Sequence, residues 1–201
     1  MFAKLFITAL LAVTITLSAE ASEWSIDAVH SSIGFTVKHM MVSTVRGSFG
    51  AYESKVSFDP AKPASFSATL SIDAASINTG VEKRDNHLRN ADFFEAEKYP
   101  KITFKSKKLE ALGNAHYRVT GDLTIRDVTK EVVLEGEGFA AMYKTPWGKT
   151  VTAVSAKGMI NREDFGLKYN AVLESGGVMV SKEVVIELEL ELTKVEPIKV
   201  E

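Results

Sequence analysis

The stretch from Val184 to Leu192 constrains the fold more than any other. Val184, Ile186, Leu188, Leu190 and Leu192 alternate along it, with Glu187, Glu189 and Glu191 set between them on the other parity. Successive side chains of a strand point to opposite faces, so this spacing makes one apolar face and one acidic face. A helix would scatter the same glutamates around its circumference.

The alternation recurs in Ile33, Phe35 and Val37; in Phe66, Ala68, Leu70 and Ile72; in Ile102 and Phe104; and in Tyr117, Val119, Gly121, Leu123 and Ile125. From Val45 to Phe58 it changes phase: Val45 and Phe49 lie on odd positions, Tyr52, Val56 and Phe58 on even ones. Gly50 sits at the change and predicts a β-bulge or bend. Further strands are expected over Glu131 to Tyr143 and Val151 to Asn161, and with Trp24 to Asp27 they bring the total to about eight. Turn signals separate them at Asp59-Pro60 with Pro63, Gly113-Asn114, Asp127 to Lys130, Pro146-Trp147-Gly148 and Ser175-Gly176-Gly177. Strands at this spacing argue for an all-β sandwich or closed antiparallel barrel. Val81 to Phe94 breaks the pattern, and Val81, Leu88 and Phe93-Phe94 predict one short helix covering a barrel end or flank.

Residues 1–21 read differently. Lys4, an uncharged run from Leu5 to Leu17 and the exit Ser18-Ala19-Glu20-Ala21 form a secretory signal peptide, with cleavage expected after Ala21. The run is shorter than the roughly 20 residues that span a bilayer, so no permanent membrane anchor is expected. Residues 22–201 then make one domain, large enough to bury its own core. The chain has no cysteine, which excludes disulfides, thiol catalysis and thiolate-bound metal. A net charge of −2 gives no electrostatic case for nucleic acid.

Few residue patterns in the chain carry chemistry. His30, His39, His87 and His116 form no metal-binding pair at helical or strand spacing, so no metal is expected. A Gly-x-Ser-x-Gly elbow and a phosphate-cradling glycine loop are both missing, and Gly47-Ser48-Phe49-Gly50 has the wrong spacing within a strand. Glu163-Asp164 reads as a solvated turn. Neither catalytic residues nor a cofactor are expected.

The barrel interior is more informative. An eight-stranded barrel either fills its interior with side chains or leaves room for one small apolar ligand. Ala68, Gly121, Ala156 and Gly158 fall on inward positions, where they either leave space or face large partners. Strands of about 11 residues at roughly 3.3 Å each would make such a cavity elongated, the shape of a lipid chain.

Several ordered blocks resemble the YceI family: Trp24-Ser25-Ile26-Asp27 with His30-Ser31; Ile33 to His39; Val45 to Phe49; Arg84 to Phe94; Tyr99 to Phe104; Gly121 to Lys130; and Arg162 to Leu167. The resemblance spans about Trp24 to Leu192. It implies a lipocalin-like antiparallel β-barrel in the periplasm, holding an isoprenoid lipid such as a polyprenyl diphosphate or a quinone tail, with links to stress or acid responses and no catalytic residues. Asn86 and Asn90 depart from the family's usual Lys and Ser. On this reading Phe35, Val37, Phe49, Leu70, Phe104, Leu123, Ile125 and Phe139 line the cavity, and Leu88 and Phe93 stand near a mouth. His39, Arg84 and Trp147 are candidates for contacting a polar head. A packed barrel that binds a partner through its loops is the alternative, and an edge strand or the helical segment could pair two copies into a homodimer.

Overall fold

The structure is a computed structural model, and it describes residues 21–59, 62–172 and 177–196. The expected signal peptide before Ala21, the turn residues Pro60 and Ser175-Gly176, and the tail from Pro197 lie outside the described residues.

Twelve strands follow one another: β1 (Ser22–Ile26), β2 (Ser32–His39), β3 (Ser43–Phe49), β4 (Tyr52–Phe58), β5 (Ser67–Asp73), β6 (Ile77–Asn78), β7 (Lys101–Gly113), β8 (His116–Ile125), β9 (Val128–Gly138), β10 (Tyr143–Lys144), β11 (Thr150–Asn161) and β12 (Val180–Lys194). Among the described residues one α-helix, α1 (Glu82–Arg89), lies between β6 and β7. The antiparallel pairings β1–β4–β5–β7–β8–β9–β11–β12 return to β1, so eight strands close a ring.

The other short strands continue members of that ring. β1 and β2 lie along the same edge of β12, with Ile26 opposite Leu192 and Ile33 opposite Leu188. In the same way β3 pairs β2 where β4 pairs β1, and β6 pairs β3 where β5 pairs β4. Three neighbouring strands are therefore bent, at residues 27–31, at Gly50-Ala51 and at the 3₁₀ turn Ala74–Ser76. The inward set changes parity across each break, from Ile26 to Ile33, from Phe49 to Tyr52 and from Ile72 to Ile77. The phase change read at Gly50 is one of these breaks.

The expected strand Glu131 to Tyr143 is corrected. β9 stops at Gly138 because Phe139 adopts φ 55°, a left-handed conformation that ends a ladder, and Tyr143–Lys144 pairs separately with Thr150 and Val151.

One end of the barrel is solid. Trp24, Phe58 and Leu192 are fully buried there, and the Phe58 ring packs 4.1 Å from Phe139, 5.7 Å from Tyr117 and 6.2 Å from Phe66, centroid to centroid. At the opposite end the segment from Ala74 to Pro100 folds across the barrel. α1 covers only part of the expected helical stretch, and polar clamps hold it in place. Asp85 accepts from the Thr79 N–H at 2.8 Å and from its hydroxyl at 2.5 Å, while Arg89 donates to the Ala75 and Ile77 carbonyls. Val81, expected on an apolar helix face, is the exposed residue before the helix. No helix among the described residues is long and apolar enough to cross a membrane, a statement that leaves strands aside.

Candidate ligand-binding site

A cavity of about 260 Å³ runs along the barrel axis. It exceeds the roughly 150 Å³ apolar cavity known to accommodate a benzene ring. Its walls reach from Phe66, Phe139 and Leu192, against the solid end, to Val37, Leu88, Val180 and Val184 under the α1 end. Every strand of the ring contributes its inward parity. The wall is aliphatic and aromatic apart from Gly34, Ser54, Thr69, Thr103 and Arg162.

Burial along β12 registers the hollow. Val184, Ile186, Leu188 and Leu190 face the axis but are only half-buried, whereas Leu192, at the plugged end, is 2% exposed. An inward residue of a filled core would show the value of Leu192. Small residues contribute in two ways. Ala68 and Ala156 border open space, but the room at three glycines is taken: a Cβ at Gly121 would lie 2.4 Å from the Phe104 ring, at Gly158 2.5 Å from Leu134 and at Gly47 2.5 Å from the Phe35 ring. Those glycines seat neighbouring side chains, so both readings of the small inward residues hold, at different positions.

Of the residues named from the sequence, Phe35, Val37, Phe49, Leu70, Leu88, Phe93, Phe104, Leu123, Ile125 and Phe139 all line the cavity. The three head-group candidates do not. His39 ends β2 beyond the last ring of lining residues. Arg84 is committed to Thr79, donating from Nε to its hydroxyl at 2.7 Å and from Nη2 to its carbonyl at 2.9 Å. Trp147 is 84% exposed in the β10–β11 turn, next to the plugged end.

Sequence reasoning passed over Arg162, the one charged side chain among the described lining residues. It is 4% exposed, and its guanidinium donates to the carbonyls of Ser181 at 2.9 Å, Val180 at 3.3 Å and Leu167. Burial lowers its pKa, partly opposed by Glu163. Its parity was the available signal, because Val154, Ala156 and Ile160 point inward and Arg162 is next in that series. Phe94, read from the sequence only as part of the helical segment's apolar side, also lines the wall and meets Phe49 edge-on at 5.8 Å.

Beside the mouth the rings of His87, Phe93 and Tyr169 lie 4.8–5.2 Å apart, joining the helical segment to the segment after β11. His30, read as isolated, meets Asp27 and Glu191 at the β1–β2 break, where the three possible ligand atoms lie within 4.8 Å of one another. The His30 Nδ1 is 3.2 Å from Asp27 Oδ2, and Asp27 Oδ1 accepts from the Val29 and His30 N–H groups, so this carboxylate organises the turn itself. A second depression, of about 360 Å³, lies on the outer wall between Arg46, Lys157, Glu187 and Glu189. Its charged walls suit solvent, and the axial cavity is the candidate site.

The YceI-like domain model matches residues 24–192. The chain belongs to the YceI family. Among its relatives is UPF0312 protein SA2479 of Staphylococcus aureus, 40% identical over 173 residues, covering 86% of this chain and 98% of the relative. Among solved structures, the Campylobacter jejuni YCEI protein superposes with a TM-score of 0.68 at 37% identity, covering 79% of this chain and 90% of that one. BcnA of Burkholderia cenocepacia superposes with a TM-score of 0.71 at 27% identity, over 83% and 98% of the two chains. A polyisoprenoid binding domain from Saccharophagus degradans shares the fold, with a TM-score of 0.61 at 19% identity over 86% of this chain and 98% of that one. The YceI barrel is thus the scaffold on which this cavity is built.

Proposed function

We propose that the mature chain is a periplasmic protein that carries or sequesters a long-chain isoprenoid lipid, acting by binding and not by turnover. The observation behind this reading is the elongated apolar cavity, lined by aliphatic and aromatic side chains from every strand of the ring. Burying hydrocarbon is favourable by about 0.8 kcal/mol per methylene, so such walls supply affinity without a recognition motif. The polyisoprenoid binding domain of Saccharophagus degradans, similar in fold, lends support to an isoprenoid as the occupant. In this reading the polar head sits at the α1 end, opposite the plug of Trp24, Phe58 and Leu192, and Arg162 is the charged side chain among the described lining residues. The leader read over residues 1–21 supports export.

The test is native mass spectrometry and organic extraction of protein recovered from the periplasm of the producing cell. The reading expects protein that begins at Ser22 and carries an isoprenoid at substantial occupancy. Protein that is consistently free of lipid, and that fails to take up a polyprenyl chain supplied in detergent, would overturn it.

A further inference from the structure

The rim at the α1 end continues the apolar cavity wall out into solvent. Val37 and Val180 line the cavity, and β2 ends two residues beyond Val37, at His39. Its tip is Met40-Met41-Val42, exposed by 46%, 62% and 86%. The Met40 N–H donates to the Met179 carbonyl at 2.7 Å, and the Met179 N–H donates to Ala171 at 2.9 Å. Val172, 85% exposed, bridges to Val178, and a Cβ built at Gly177 would lie 4.0 Å from Met41 Cγ. The β2–β3 connection and the described residues 171–172 and 177–179 therefore form one hydrogen-bonded rim with an apolar tip. Residues 39–43 carry no acid, lysine or arginine, and neither do the described residues 169–172 and 177–181; Glu174 lies outside the described residues.

The tip departs from local preference. Val42 N–H donates to His39 C=O at 3.1 Å across Met40 and Met41, both at positive φ, 51° and 61°. That turn favours Asn-Gly, whose residues reach positive φ at little cost. Methionines held there present two flexible thioethers to water, against both backbone preference and the hydrophobic effect. Exposed apolar residues gathered on one protruding rim, continuous with an apolar cavity, match an interface with an apolar phase.

We propose that this rim docks on a lipid bilayer, with Met40, Met41, Val42 and Val172 inserted among the lipids so that a hydrocarbon chain passes between membrane and cavity without crossing water. The proposal rests on the lipid-binding reading of the cavity. The nearby charges are mixed, Lys38, Lys168 and Lys182 standing against Glu163 and Glu183, so the attachment is chiefly apolar and survives high salt.

The chain has no cysteine, so a single Met41→Cys change gives one site for an environment-sensitive fluorophore. Trp147→Cys, at the plugged end beside exposed Tyr143 and Met142, gives the control. With vesicles of phosphatidylethanolamine and phosphatidylglycerol, the probe at position 41 should shift to the blue and be quenched by spin-labelled lipid, while the probe at 147 stays water-like. A position-41 probe that remains water-like, a shift at 147 in its place, or a shift at 41 on raising protein concentration without lipid would each overturn the proposal; the last would mark a surface between copies of the chain. The triple variant Met40→Ser, Met41→Ser, Val42→Ser should take a fluorescent geranylgeranyl chain from detergent as the parent does, but from vesicles roughly tenfold more slowly. Equal rates from vesicles would count against docking. Failure of both proteins to load from detergent would instead count against the cavity reading, leaving docking to be decided by the position-41 probe.

Discussion

Truncating one residue at the plugged end and one on the cavity wall should separate a solid interior from a hollow one. The Phe58 ring has no exposed surface and is enclosed by aromatic neighbours. Phe58→Ala loses the ring's transfer energy and leaves a void, and such changes cost about 3–5 kcal/mol. Leu188 faces the axis and is half-buried. Leu188→Ala removes three carbons, worth about 2.4 kcal/mol if fully buried at about 0.8 kcal/mol each. At most about a third of that surface borders the hollow, and enlarging an existing void adds little, so a loss of about 2 kcal/mol is expected. For a domain of this size each kcal/mol moves Tm by about 2–4 °C, giving drops of roughly 6–20 °C and roughly 4–8 °C. Urea unfolding of lipid-free protein, followed by far-UV circular dichroism, measures both. A loss of about 3 kcal/mol or more for Leu188→Ala would mean that its axial side is packed, and would refute the reasoning.

Ala156→Phe should place a ring in the hollow: stability within about 1 kcal/mol of the parent is expected, where overpacking a filled core costs about 1–3 kcal/mol, and lipid recovered with the protein should fall. Gly47→Ala puts a Cβ 2.5 Å from Phe35 Cζ and 2.9 Å from Thr79 Cγ2, so urea unfolding should show a loss of about 1–3 kcal/mol. Adding Phe35→Leu should recover much of it, and strict additivity of the two changes would show that the ring is not the cause. The Asp27 carboxyl is held below its ordinary 3.8, chiefly by the His30 side chain and then by the Val29 N–H. A carboxyl depressed in the folded state adds stability above its unfolded pKa and loses it as pH falls through the folded one. Asp27→Asn keeps the turn acceptor but not the charge, so its Tm should lie below the parent's at neutral pH and the gap should close below about pH 4; a gap that widens in acid would reverse the sign of this argument.

Much of the barrel could be read from parity alone. The alternation in β12 named its inward face, and the eight residues read as cavity lining stand on the wall, as do Leu88 and Phe93, read as standing near a mouth. The failures have local causes. A strand was drawn through Phe139 because its side chain suits a strand, while its positive φ is set by how the chain turns toward β10. The three residues offered for a head group, by chemistry without position, do not stand on the wall: Arg84 bonds Thr79, Trp147 lies beside the plug, and His39 ends its strand past the last lining residue. Arg162 was overlooked because a charge at a strand end reads as solvated, although its parity pointed inward. The bends at residues 27–31 and 74–76 carry no glycine marker like Gly50, so only pairing across the sheet reveals them.

A crystal structure of the protein purified in native form from its producing cell, without added lipid, bears most directly on the central claim. Continuous elongated density is expected along the axis, from beside Phe139 to beside Leu88. An axis filled by rearranged side chains, with no void wide enough for a hydrocarbon chain, would contradict it.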